Sequence, residues 1–275
     1  MKKSNMVLAL SAVLLSISTL AGAEEGTVSV GTGYNYSSGT YGTSQTTRIS
    51  TIPFDLGYAI GAWTFKLDVP FINISGPSNV IPGIGPVNNK NPKSRGLGST
   101  GTVTPGTAST VTSGSASGLG DVVTSATYNV FNDSAAQFGI DLGGKIKFGT
   151  ADKNKGLGTG ENDYGVEIDA YKKVNSTTIF GGVGYTKLGS SQNIQLKNVL
   201  NASIGASLAL NEASSVGVSF DYRQRSSDSG FSRREATAFY TLRASKAWKT
   251  QLYLLKGFSD GSPDFGAGLT ATYSF

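Results

Sequence analysis

Phe265-Gly266-Ala267-Gly268-Leu269-Thr270-Ala271-Thr272-Tyr273-Ser274-Phe275 is the stretch that decides the fold. Phe265, Ala267, Leu269, Ala271, Tyr273 and Phe275 form one face, and Gly266, Gly268, Thr270, Thr272 and Ser274 form the other. A period of two is that of a β-strand with one apolar and one polar face. One alternating strand alone is common in soluble sheets. A strand that closes the chain on an aromatic, in a protein that starts with an export signal, is expected to be the last strand of a transmembrane β-barrel. In bacterial outer-membrane barrels, Tyr273 and Phe275 would be the address read by the barrel-assembly machinery.

The other end of the chain supplies the export signal. Lys2 and Lys3 precede an apolar run from Met6 to Leu20, and Ala21-Gly22-Ala23 offers a small-x-small cleavage site. Residues 1–23 therefore read as a secretory signal peptide, leaving 24–275 as the mature barrel domain. Beyond the leader, no run approaches the ~18 consecutive apolar residues of a spanning helix, which excludes a helical membrane bundle. The chain has no Cys, so an exported protein here closes no disulfide. It also has no His, which removes Ser-His and Cys-His nucleophile pairs and imidazole metal ligands. The net charge of +5 includes the two leader lysines and is too weak to argue for nucleic acid. Glycine accounts for 37 of 275 residues, which suits turns and a crowded barrel interior.

Working back from the terminal strand, twelve segments match a period of two: 27–36, 46–60, 63–73, 121–131, 137–149, 163–172, 177–187, 198–210, 215–225, 233–244, 248–258 and the last one. The fifth is the cleanest, with Phe138, Ile140, Leu142, Ile146 and Phe148 opposed to Gly139, Asp141, Gly143, Lys145 and Lys147. The eleventh is blurred by Tyr253, Leu254 and Leu255. Each segment is close to the length that a tilted strand needs to cross a bilayer. Connections alternate between short ones, such as Gly61-Ala62 and 173–176, and longer ones at 37–45, 75–120, 150–162, 188–197, 226–232 and 259–264. Short periplasmic turns and long external loops give that rhythm. The predicted fold class is thus all-β, an antiparallel up-and-down transmembrane barrel of about twelve strands. Closure follows from backbone physics, since each unpaired N–H or C=O in hydrocarbon costs several kcal/mol. Aromatics cluster near strand ends. Tyr34, Tyr36, Tyr164, Tyr185 and Tyr222 fall at the outer rim; Tyr128, Phe131, Phe138, Tyr240, Trp248, Tyr273 and Phe275 fall at the periplasmic rim. They are the expected interface girdles.

The long connection 75–120 is rich in Ser, Thr, Gly and Pro, as in Ile81-Pro82-Gly83-Ile84-Gly85-Pro86. It has too few large apolar residues for a core of its own. Two fates are open: a mobile external loop, or a segment folded inward. In the second, Val80, Ile81, Pro82 and Ile84 would plug the mouth while Lys90, Lys93 and Arg95 stay at the water.

The polar faces carry the candidate lumen residues: Lys66, Asp68, Lys145, Lys147, Glu167, Asp169, Asp221, Arg223, Arg225, Arg233, Glu235 and Arg243. Hairpin pairing brings Lys145 near Glu167, and Lys147 within a residue or two of Asp169. It also brings Arg223 near Glu235, with Arg225, Arg233 and Asp221 adjacent. Opposed charges across strands stabilise a polar interior. Alternatively Arg223, Arg225, Arg233 and Arg243 form a basic constriction that favours anionic solutes. The loop Gly156-Leu157-Gly158-Thr159-Gly160 lacks the strand–helix context of a dinucleotide site. Its neighbours Asp152, Glu161 and Asp163 offer oxygens, but a divalent cation needs six or more in a tight turn. A solvated loop is the expected state, with no metal, cofactor or catalytic residue assigned.

Three motifs carry a family resemblance: Gly118-Leu119-Gly120-Asp121; Lys145-Ile146-Lys147-Phe148-Gly149-Thr150-Ala151-Asp152; and Gly158-Thr159-Gly160-Glu161-Asn162-Asp163-Tyr164-Gly165. Together with Val69-Pro70-Phe71 they resemble the outer-membrane family labelled for the MetA pathway of phenol degradation, from about residue 50 onward. The family's usual Pro-Thr-Gly-Asp is replaced here by Gly149-Thr150-Ala151-Asp152. The resemblance implies an outer-membrane channel for small molecules, aromatic ones among them, and transfers no site residues. The expected function is passive passage of small solutes, with a non-conducting structural or adhesive barrel as the alternative and no enzymatic role. The expected partners are outer-membrane lipid and lipopolysaccharide, the assembly machinery and a small solute, with no nucleic acid.

Overall fold

The computed structural model describes residues 26–91, 94 and 113–275. The leader 1–23, together with Lys93 and Arg95, lies outside those residues.

Twelve long strands form the wall: β1 (Thr27–Gly39), β2 (Thr47–Ile60), β3 (Trp63–Pro77), β7 (Val123–Asp133), β8 (Phe138–Lys147), β9 (Asp163–Val174), β10 (Thr177–Lys187), β11 (Val199–Ala209), β12 (Ser214–Arg223), β13 (Arg233–Arg243), β14 (Trp248–Gly257) and β15 (Phe265–Ser274). Each pairs antiparallel with its sequence neighbours, and β1 pairs with β15 from Ser29↔Ser274 to Ser38↔Phe265, so the ring closes. Closure gives each of these twelve strands a partner on both sides, as a bilayer requires. Two short strands, β4 (Val80–Ile81) and β5 (Gly85–Pro86), form a small hairpin of their own.

The fourth wall strand is longer than its sequence suggests, and it is broken. Ser113–Leu119 (β6) pairs with the outer half of β3, from Phe71↔Leu119 to Pro77↔Ser113. β7 pairs with the inner half, from Trp63↔Tyr128 to Asp68↔Val123. The connection expected over 75–120 therefore begins and ends in strand, and both of its margins belong to the wall. The break falls opposite Pro70, which has no N–H to give to a ladder; Gly120 N–H bonds the Pro70 carbonyl at 2.8 Å instead. Pro70 also stands opposite Pro53 on β2, so two adjacent strands lose a donor at one level.

The outward face is apolar at nearly every other residue. Leu254, Ile204 and Val183 are 62%, 61% and 60% exposed, and comparable residues surround the whole ring. In water such a surface would aggregate. In a bilayer it is the lipid-facing band, and the barrel is of the outer-membrane type. Aromatic pairs mark its periplasmic edge: Trp63 with Tyr128 at 4.8 Å, Phe131 with Phe138 at 5.9 Å and Trp248 with Tyr273 at 5.1 Å between ring centroids. Phe275 lies 4.9 Å from Tyr273 and donates its N–H to Val28 O, which stitches the chain end to β1. In β14 the phase resolves, with Leu252 and Leu254 outward and Tyr253 and Leu255 inward.

Candidate functional site: the lumen and its internal hairpin

The inward faces change character along the barrel axis. Toward the external loops they are buried: Thr47, Ile49 and Thr51 on β2, Ile72 and Ile74 on β3, Asp163 and Glu167 on β9, Val199 and Asn201 on β11, Arg233 and Glu235 on β13. Toward the periplasm they are mixed: Thr64 and Lys66 on β3, Ser125 and Thr127 on β7, Asp169 and Tyr171 on β9, Lys249 on β14, and Thr272 and Ser274 on β15 are half-open, while Asp141, Phe180, Phe239, Thr241 and Gln251 are buried.

The outer half is filled by the β4–β5 hairpin. Ile81, Ile84 and Val87 pack against Leu188, Ile194 and Val199, and Val80 has no exposed surface. The hairpin turns at Gly83, whose φ of 84° suits glycine. The wall holds it by polar contacts: Arg223 Nη1 donates to Gly83 O at 2.9 Å, Ser226 Oγ to Ile84 O at 3.2 Å and Ser227 Oγ to Pro86 O at 3.3 Å. Further out, Lys90 N–H bonds Asn193 O at 3.0 Å, and Asn91 Nδ2 bonds Lys153 O at 3.1 Å. A second apolar cluster, Ile49, Ile72, Ile74, Ala151 and Leu157, lies beside it. Between hairpin and wall remains a cavity of about 40 Å³, room for a few waters at most.

Under the hairpin the charges are paired. Lys145 Nζ sits 2.9 Å from Glu167 Oε2, with both side chains buried. Lys147 Nζ reaches Asp163 at 2.7 Å and Asp121 at 3.4 Å, so its partners are not Asp169. Asp169 stands lower, opposite Asp141. The family-like motifs thus have a structural reading. Asp121 Oδ1 also accepts the Ala151 N–H at 2.9 Å, tying the start of β7 to the loop after β8.

The expected arginine constriction does not assemble. Arg223 and Arg233 are directly opposite, as are Asp221 and Glu235, because the strands pair two residues out of the expected register. Arg233 satisfies Glu235 on its own strand, Nε to Oε1 at 2.9 Å, and Ser219 Oγ donates to Asp221 at 3.2 Å. Arg225 lies past the end of β12, exposed in the outer loop, and so does not line the lumen. Arg243 is exposed at the periplasmic end of β13, opposite Lys249. Lys66 and Asp68 line β3 at mid-barrel; Asp68 faces Asp55, and Lys66 is within electrostatic reach of Asp55, Glu167 and Asp169.

Tyr41, in the loop after β1, folds into the outer mouth near Arg233 and Glu235. Burial pushes its phenol up to about 12 against the opposing pull of a Ser37 hydrogen bond and Arg233, so it stays neutral there. At the rim, Lys197 pairs with Asp228 and holds its carboxyl below the usual range through a hydrogen bond and charge. The acidic loop residues do not converge on a cation: Asp152 caps the turn at Asn154 and Lys155, and Asp163 belongs to Lys147. Among the described residues no group of three potential ligands forms.

The sequence matches the family described as MetA-pathway of phenol degradation over residues 20–275. The chain belongs to this family. No functionally curated protein matches it. Among solved structures, an outer-membrane channel from Pseudomonas putida F1 is similar, with a TM-score of 0.63 and 12% identity over 94% of this chain and 98% of that one. The translocator domain of autotransporter NalP from Neisseria meningitidis gives 0.52 and 12%, over 99% and 95%. The KdgM porin gives 0.51 and 10%, over 90% and 99%. At such identities the likeness establishes the fold. A channel, a translocator and a porin share it, so function rests on what fills the lumen.

Residues that sequence reasoning missed are mostly inward and apolar. Ile72 and Ile74 occupy the polar phase of β3, two and four residues past Pro70, and so signal that the lumen there is packed. Phe180 and Phe239 also point inward, 6.5 Å apart, where Gly205 and Gly217 leave room for their rings. Asn201 and the serines 226 and 227 carried no pattern of their own.

Proposed function

We propose that this protein is an outer-membrane channel for passive passage of small solutes, held shut in its outer half by the β4–β5 hairpin. The single observation behind this reading is the hairpin's attachment. Side chains of Arg223, Ser226 and Ser227 and apolar packing hold it, with no ladder to the wall strands, so it leaves the lumen without breaking the barrel. A solute entering from outside meets the hairpin, then the Lys145–Glu167 level, then a vestibule lined by Lys66, Asp169, Lys249 and Arg243. The mixed charges of that path sort solutes by size and sign. The reading includes no catalytic group. Lipid and lipopolysaccharide surround the wall, and the assembly machinery reads Tyr273 and Phe275.

Planar-bilayer recording tests it, comparing the intact protein with a deletion of 79–88. Asn89 Nδ2 donates to Ser78 O at 3.0 Å, so the two ends left by the deletion already lie side by side. The intact protein is expected to conduct weakly or in brief openings, and the deletion to conduct steadily. Silence from both, with normal heat-modifiable migration on a gel, would instead favour a non-conducting structural barrel.

A further inference from the structure

We infer that the hairpin tip occupies a binding subsite as a surrogate for the solute, and that the subsite takes a small carboxylate carried on an apolar ring or chain. This rests on the channel reading above. The tip presents one oxygen and two apolar bodies: the Gly83 carbonyl accepts from Arg223 Nη1 at 2.9 Å, while Pro82 and Ile84 face the same cavity as Leu188 and Val199. An apolar body bearing an oxygen acceptor reproduces that combination. A second donor specifies the acid. Asn201 stands directly opposite Arg223 on the paired strand, is 7% exposed and lines the cavity, and its Nδ2 has no hydrogen-bond partner among the described residues. Burying such a donor unmatched costs about 1–3 kcal/mol, so the site is built for an acceptor that the hairpin does not supply. A carboxylate meets both donors, one oxygen on Arg223 and the other on Asn201. The cavity's two lysines are already matched, Lys145 by Glu167 and Lys147 by Asp163 and Asp121, so the positive charge offered to a carboxylate is that of Arg223. Because the free space is only about 40 Å³, a ring enters only when the tip leaves. Solute binding and opening are therefore one event, with the hairpin as the competitor.

The chain's lack of cysteine allows a direct test. Single thiols are placed at the tip as Pro82→Cys and, independently, Ile84→Cys, with exposed Asn88→Cys as an accessible reference. Maleimide labelling is timed on folded protein in detergent with benzoate, toluene or acetate as probes. Benzoate is expected to speed labelling of both tip thiols severalfold, leaving the reference unchanged, while toluene and acetate do not. Arg223→Met in the same background is expected to speed labelling about tenfold without any probe, the change given by losing a hydrogen bond of roughly 1.4 kcal/mol. Equal acceleration by toluene would overturn the carboxylate assignment. No acceleration by benzoate, with wild-type conductance normal, would overturn the surrogate idea and leave the channel standing. Silence of the 79–88 deletion in bilayers strikes the channel reading instead.

Discussion

The two halves of the lumen are built by different rules. The outer half is packed like a protein core, with isoleucines on the supposedly wet face of β3, a hairpin inserted between the walls and charges held in buried pairs. The periplasmic half is looser and more polar, with Lys66, Ser125, Thr127, Asp169 and Lys249 half-open, although Phe180, Phe239, Thr241 and Gln251 are buried in it. Both halves share the wall strands apart from the fourth, which β6 continues outward beside β3 alone. Wall architecture therefore does not decide whether a barrel of this size is open. The side chains of one phase, and one connecting segment, decide it.

The sharpest way to break this contrast is to remove one partner of a buried pair. Lys145→Met leaves Glu167 buried and unmatched, and is expected to cost about 3–5 kcal/mol in guanidinium unfolding of the detergent-solubilised barrel. Adding Glu167→Met should recover most of that loss. If the single change costs nothing, water reaches the outer half and the core-like description fails.

Two glycines test rigidity at the next level. A Cβ at Gly149, in the loop over the outer half, would stand 2.4 Å from the backbone carbon of Gly160. Gly149→Ala should cost about 1–3 kcal/mol, because backbone must move. A Cβ at Gly139, lower in the barrel, would stand 2.4 Å from the Tyr171 ring, and its three nearest atoms all belong to that side chain. Tyr171 is half-open and can turn aside, so Gly139→Ala should cost less than about 1 kcal/mol. Equal costs would mean that the lower half is packed as tightly as the upper.

The smallest stability effect belongs to the vestibule. Lys249→Gln should change unfolding by no more than about 0.5 kcal/mol. It should nevertheless move the reversal potential of the 79–88 deletion toward cation selectivity, since a half-open charge acts on passing ions more than on folding. An unmoved reversal potential would remove Lys249 from the path.

The wall was legible because lipid imposes a period. Outward positions must be apolar at every second residue, so β8, β9 and β15 read cleanly from their alternation. The twelve-strand count and the loop rhythm follow from the same constraint. Strand four was legible only in part: Ser113–Leu119 is Ser and Gly at alternate positions and looks like loop, yet it pairs because β3 offers it an edge. The lumen was less legible still. Inward positions answer to partners across the barrel, and those are fixed by register. A two-residue difference in register placed Arg223 opposite Arg233 instead of near Glu235. Lys147 took Asp163 and Asp121 for a similar reason, because the loop after β8 brings the start of β7 back to it. Arg225 looked like a lumen residue by parity, but β12 ends at Arg223.

By itself the sequence determined that this chain makes a closed antiparallel wall, since alternating faces of bilayer-spanning length have no other way to satisfy their backbone in hydrocarbon. Tertiary structure alone decided that residues 80–86 lie inside that wall. Their composition fits loop and plug equally well, and the choice was made by groups far away in the chain: Arg223, Ser226 and Ser227, which meet the hairpin's carbonyls, and Leu188, Ile194 and Val199, which bury its side chains.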